Sequence, residues 1–146
     1  MNLFAMFDVS GSALTAERER AEVVASNMAN AETTRTAKGG PYRREEVVFA
    51  SSPVGGSSFA DRLASATDGN IQGVRVADVV TDPTPAIRRF DPSHPDADAQ
   101  GYVSYPAINP VQEMVDLMGA SRSYQLNVSA LQSTKQMIQQ SLEILT

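Results

Sequence analysis

The residues best suited to chemistry are His94, Asp96 and Asp98, with Asp91 just before them, in the stretch Asp91-Pro92-Ser93-His94-Pro95-Asp96-Ala97-Asp98. An imidazole and several carboxylates in one loop can bind a divalent metal. A structural zinc site wants four ligands, however, and three of these four would be oxygens. Pro92 and Pro95 also stiffen the loop. The simpler reading is a turn in which the Asp side chains cap backbone N–H groups and His94 stands exposed. No metal, cofactor or catalytic residue is assigned on that basis.

Other chemistries have less support. The chain has one histidine and no cysteine, so it has no thiol nucleophile, thiolate metal site or disulfide. It carries no Gly-x-Ser-x-Gly elbow, no Gly-x-x-x-x-Gly-Lys phosphate loop and no Gly-x-Gly-x-x-Gly turn. An enzyme with a small-molecule substrate is therefore not expected. The net charge is −5 and no basic block is present. That makes a poor nucleic-acid binder, because phosphate contacts need clustered Lys and Arg. The isolated pairs Arg43-Arg44 and Arg88-Arg89 read as solvated surface charge.

The elements that must carry this loop have an unusual order. At 146 residues the chain is long enough for one domain with a modest core. Its long helices stand at its two ends, roughly Leu3 to Ala31 and Pro110 to Leu145. In the first, Phe7, Leu14, Ala21 and Met28 recur every seven residues, with Leu3 and Val24 on the adjacent line. Seven-residue recurrence marks a coiled-coil seam. Gly11, between Ser10 and Ser12, suggests a kink or break there. In the second, Asn109 is a good N-cap and Pro110 suits the first helical position. Leu117, Tyr124, Leu131, Ile138 and Leu145 follow at seven-residue spacing, with Met114, Val128 and Leu142 as the companion line. The other polar positions are mostly neutral amides and hydroxyls, such as Gln125, Asn127, Gln132 and Gln136. A water-facing helix back usually carries Lys and Glu. This helix is thus expected to be enclosed by protein on more than one side, and the ends of an isolated monomer to order only on assembly.

Between the helices the chain reads as extended. Arg43 to Phe49, Val74 to Val80, Ala86 to Phe90 and Tyr102 to Tyr105 are strand-like. Lys38-Gly39-Gly40-Pro41 is a turn. Residues Ala50 to Gly73 form the least structured part, with a flexible Ser/Gly loop and one helical turn marked by Phe59, Leu63 and Ala64. The expected fold is mainly α. Long N- and C-terminal helices (1–34 and 109–146) pair as a coiled coil around a small β-containing insert (35–108) whose loop covers about 50–70. The first cation is Arg18, and the apolar run Leu3 to Phe7 is too short to span a bilayer. No cleavable secretory signal is read. The protein is expected in the cytoplasm or to leave by a route that needs no such signal.

Several segments resemble a known family. Ser10-Gly11-Ser12-Ala13-Leu14-Thr15-Ala16-Glu17-Arg18, followed by an Asn-x-x-Asn-x-x-Thr pattern at Asn27, Asn30 and Thr33, resembles the N-terminal signature of bacterial flagellar rod and hook proteins. Gly39-Gly40-Pro41-Tyr42-Arg43-Arg44, the Asp91 to Asp98 stretch with Pro92, His94, Pro95 and Asp96, and Asn109-Pro110-Val111-Gln112-Glu113-Met114 are similar to its proximal-rod members.

The resemblance implies a structural subunit of the rod, the drive shaft of the flagellar basal body. It implies export through the flagellar type III apparatus and assembly in the periplasm into a tube that transmits torque and leaves a central export channel. The implied partners are copies of the chain, other proximal and distal rod proteins, and the membrane ring with its rod adaptor. The implied subunit interface is Phe7, Leu14, Val24 and Met28 against Leu117, Tyr124, Leu131, Ile138 and Leu145. The Asp91 to Asp98 loop would be a clamp or interface element. A secreted coiled-coil adaptor that never joins the shaft is the alternative from another class.

Overall fold

The computed structural model describes residues 3–53 and 72–143. The expected helical turn at Phe59, Leu63 and Ala64 lies outside them, as does Leu145. Helix α1 spans Leu3–Ala29. Strands β1 (Glu45–Pro53), β2 (Gln72–Thr81), β3 (Ile87–Phe90) and β4 (Tyr102–Tyr105) follow, then helix α2 (Pro110–Glu143). The fold is mixed, with two long helices and two small sheets, β1 with β2 and β3 with β4. No helix of the described residues is long and apolar enough to cross a membrane.

Helix α1 runs through Gly11 without the expected break. Two hydroxyls bond back into the helix beside it: Ser12 Oγ donates to the Val9 carbonyl (2.7 Å) and Thr15 Oγ1 to the Gly11 carbonyl (3.3 Å). The Val74 N–H on β2 donates to Ser12 Oγ (3.1 Å), which fixes this turn against the sheet. Among the described residues, a Cβ at Gly11 would meet nothing within 4 Å.

The helix stops where its sequence changes. Asn30 turns its side-chain amide back to the Ser26 carbonyl (2.9 Å), and Thr33 Oγ1 donates to Asn30 Oδ1 (3.1 Å). Side chains that satisfy the last carbonyls compete with further helix. The turn after it closes through Thr36 N–H to the Gly40 carbonyl (2.8 Å). Gly39 and Gly40 adopt φ of 83° and 75°, the left-handed region that favours glycine.

Strand β1 continues through Ala50-Ser51-Ser52-Pro53, which composition had placed in a loop. Pairing with the long β2 outweighs the weak strand propensity of Ala and Ser. The β3–β4 hairpin is antiparallel with Ile87 opposite Tyr105 and Phe90 opposite Tyr102. Its connection ends at Gly101, with φ 80°, where a Cβ would sit 2.9 Å from the Phe90 ring.

Helix α2 begins as expected. Asn109 Oδ1 accepts the Val111 N–H (3.0 Å), and the Asn109 carbonyl accepts the Glu113 N–H (3.1 Å). Its most buried line differs from the expected one. Glu113, Ala120 and Thr134 are buried and Asn127 is half-buried, again at seven-residue spacing. Met114 and Leu142, expected on the companion line, are exposed. Helix geometry turns about 100° per residue, so an inward Glu113 carries Met114 out toward solvent.

Two compact units emerge. One gathers the described parts of Met1–Glu19, Val48–Asp78 and Ala120–Thr146; the other gathers Arg20–Val47 and Val79–Gly119. Buried apolar side chains are small or β-branched: Ala16, Val24, Val103 and Ala120.

Candidate functional site

The second unit is built on a polar centre. Asn27, two residues before the end of α1, is wholly buried. Its Nδ2 donates to the Glu45 carbonyl (2.8 Å) and to Glu113 Oε2 (3.2 Å). Its Oδ1 accepts the Glu45 N–H (2.9 Å) and the Tyr42 hydroxyl (3.1 Å). Both amide protons and both oxygen lone pairs are engaged, which is the full capacity of this side chain. One residue thus joins the end of α1, the start of β1 and the start of α2.

Glu113 is 1% exposed. A buried carboxylate is costly unless paired and hydrogen-bonded. Here Oε1 accepts from Arg44 Nε (2.6 Å) while Oε2 accepts from Asn27. Arg44 also pairs with Glu46, and its Nη2 lies 3.6 Å from Asp116. Asp116 in turn lies 3.8 Å from Arg20 on α1. Burial works against the Arg44 charge, but the hydrogen bond and charge of Glu113, helped by Glu46, outweigh it and raise the pKa. Arg44 is therefore not the solvated surface charge that its sequence suggested, whereas Arg43 is exposed.

The Asp91 to Asp98 loop is a set of side-chain caps. Asp91 Oδ1 accepts from the Ser93 hydroxyl (2.7 Å) and the Ser93 N–H (3.3 Å). The Ser93 hydroxyl is the main reason that the Asp91 carboxyl lies below its usual range. Asp98 Oδ1 accepts the Tyr102 and Gln100 N–H groups, both at 2.9 Å, and Asp98 pairs with Arg88. The Tyr102 N–H leads the downward shift of its pKa. Asp96 accepts from Thr34 Oγ1 (2.7 Å) and lies 3.7 Å from Arg35, which ties the loop to the chain just after α1. His94 is half-buried rather than exposed. Its Nδ1 accepts the Asp96 N–H (3.1 Å), and its ring meets Tyr105 edge-on (centroids 6.1 Å apart). Among the described residues no three of these groups are placed to share a metal ion. Arg88 and Arg89 are exposed, as expected, and stack over Tyr102 and Tyr105 at 4.9 and 4.8 Å.

The expected interface residues are mostly covered within the chain. Val24 is buried; Phe7, Leu14, Met28, Leu117, Leu131 and Ile138 are half-buried; Tyr124 is exposed. The uncovered apolar surface of α2 lies elsewhere. Val111 (69% exposed), Met114 (54%), Val115 (62%) and Met118 (70%) occupy its first three turns. At 100° per residue, Val111, Val115 and Met118 point nearly opposite to the buried Glu113. Signature residues Asn27, Tyr42, Pro41, Asn30, Thr33, Asn109 and Pro110 fall in or beside the polar centre. Arg44 and Glu113, its charged members, were not singled out by sequence. The available signal was the seven-residue line Glu113, Ala120, Asn127, Thr134.

Known protein families match both ends of the chain. Residues 7–35, which hold Asn27, Asn30 and Thr33, match the family described as flagella basal body rod protein. Residues 99–144, which hold Asn109, Glu113 and all of α2, match the C-terminal family of the flagellar basal body rod FlgEFG proteins. The flagellar basal-body rod protein FlgC of Borreliella burgdorferi is 41% identical over 99% of both chains. FlgC of Bacillus subtilis is 41% identical over 99% of both. FlgC of Salmonella typhimurium is 39% identical over 99% of this chain and 98% of its own. The chain belongs to the flagellar basal-body rod proteins, in the FlgC family.

Proposed function

We propose that the chain is a structural subunit of the flagellar basal-body rod and not an enzyme. The single observation that carries this is full-length similarity to curated FlgC proteins, with most of α1 and all of α2 inside rod-family matches. Subunits of a rod assemble with copies of themselves and with other basal-body components, and the basal body is where this one resides.

The subunit sits in the proximal rod, in the periplasm, after type III export without a cleaved signal peptide. Its neighbours are proximal and distal rod proteins and the membrane ring with its adaptor. Residues 1–34 and 109–146 pair as a coiled coil in the tube wall around the export channel, and 35–108 packs outward. The tube carries motor torque. Two kinds of side chain make the subunit contacts: the seam of Phe7, Leu14, Val24 and Met28 with Leu117, Tyr124, Leu131, Ile138 and Leu145, and the uncovered face of Val111, Met114, Val115 and Met118. The exposure of that face supports this reading, since contiguous exposed apolar surface usually marks an interaction site.

Retention in purified basal bodies tests the proposal. The wild-type chain should remain through salt and detergent washing, where an adaptor would wash away. Leu131→Asp should be exported but not retained. Met118→Asp should also be lost from basal bodies, yet keep its fold, because the side chain touches little within the chain. Loss of the unmodified chain on washing would overturn the rod reading.

A further inference from the structure

We propose that the Asn27–Glu113–Arg44 cluster sets the axial register of α2 against the end of α1. Two contacts give the helices an antiparallel sense here: Asn27 meets Glu113, and Arg20 lies across from Asp116. The apolar seam of α2 repeats every seven residues, so a slide of one heptad replaces Leu117 by Tyr124 and leaves the seam apolar. Such a slide moves α2 by about 10 Å at 1.5 Å per residue and is accommodated by unwinding its first turns. Leu117, Tyr124, Leu131 and Ile138 alone therefore discriminate weakly between the two registers, although on the inward line the slide also sets Asn127 where Ala120 is buried.

The polar residues discriminate strongly. In the slid register Ala120 would stand beside Asn27 in place of Glu113, and Ser123 would stand across from Arg20 in place of Asp116. Arg44, whose side chain is 18% exposed, would lose both Glu113 and Asp116. One Asn27 amide proton would lose its acceptor in a wholly buried position. A buried donor or charge left unpaired is the penalty that fixes register in repetitive helix seams. Only the observed register satisfies every member of the cluster, since Asn27 has no spare hydrogen-bonding capacity.

The chain contains no cysteine, so register can be read with introduced pairs. Arg20→Cys with Asp116→Cys reports the observed register. Arg20→Cys with Ser123→Cys reports the slid one. Each pair is treated with a short bismaleimide in the purified full-length protein, so the readout does not depend on rod assembly. The native cluster should favour the first cross-link at least tenfold. Transposing the marker with Glu113→Ala and Ala120→Glu should reverse that preference. Glu113→Ala with Arg44→Met, which makes positions 113 and 120 alike and removes the stranded charge, should give both cross-links. Retention of the native preference in the transposed protein would overturn the proposal. If circular dichroism shows the transposed protein unfolded, the Glu113→Ala/Arg44→Met protein decides: two cross-links uphold the inference and one overturns it.

Discussion

Asn27 and Glu113 stand 86 residues apart in sequence and meet at 3.2 Å in a place closed to water. The same amide group of Asn27 also holds the Glu45 carbonyl at 2.8 Å. Three elements therefore converge on one side chain, and none of its bonds can be replaced by water without opening the unit. Asn27→Ala strands the Glu45 N–H and removes one donor from Glu113. The expected loss is about 2–4 kcal/mol, from unsatisfied buried groups together with a small cavity. Urea unfolding followed by circular dichroism reads it directly; a change under about 0.5 kcal/mol would show that the cluster contributes little to stability.

The charged pair should behave non-additively. Glu113→Ala leaves Arg44 half-enclosed beside the vacated site and should cost about 3–5 kcal/mol. Adding Arg44→Met removes the stranded charge and should recover part of that loss. A double-mutant cycle on purified protein measures the coupling. Strict additivity of the two losses would mean that Arg44 and Glu113 do not act as a pair in solution.

Glycines in this chain divide by environment. Gly11 and Gly119 lie inside helices with open space where a Cβ would stand. Replacing either by Ala should stabilise the protein by about 0.5–1 kcal/mol. Gly101→Ala should do the reverse by about 1–3 kcal/mol, since φ is 80° and the new Cβ would press on the Phe90 ring at 2.9 Å. Thermal melts of the three single variants separate these cases. An unchanged melt for Gly101→Ala would contradict the observed hairpin geometry.

Sequence periodicity was enough to place both helices and the four described strands, because seven-residue spacing and β-branched runs are local signals. The Asn109 N-cap was legible for the same reason: cap and helix start are adjacent. What stayed hidden depends on contacts between distant residues. Arg44 reads as surface charge until Glu113 is brought beside it from 69 positions away. Ala50 to Pro53 reads as loop until β2 pairs with it. Gly11 reads as a break until back-bonding hydroxyls and β2 are in place. The inward line of α2 was missed by one residue, because a buried glutamate does not look like core.

Acid should loosen the hairpin loop before the rest. Asp91 and Asp98 have pKa values held below the usual carboxylate range by the Ser93 hydroxyl and the Tyr102 N–H respectively. A depressed folded-state pKa gives stability that is present above the unfolded value and is lost as pH falls through the folded one. The caps should therefore be intact at neutral pH and lost below about pH 4, the ordinary carboxylate value. Amide NMR shifts of Ser93, Gln100 and Tyr102 followed from pH 7 to pH 2 would reveal it. Shifts that stay unchanged down to pH 2 would contradict capping by these carboxylates.

The most direct test of the rod assignment is electron microscopy of hook–basal bodies from cells lacking only this gene, beside a complemented control. The expected result is membrane rings with no complete rod and no hook, restored by the complementing copy. Intact rods and hooks in the deletion would contradict a required place in the shaft.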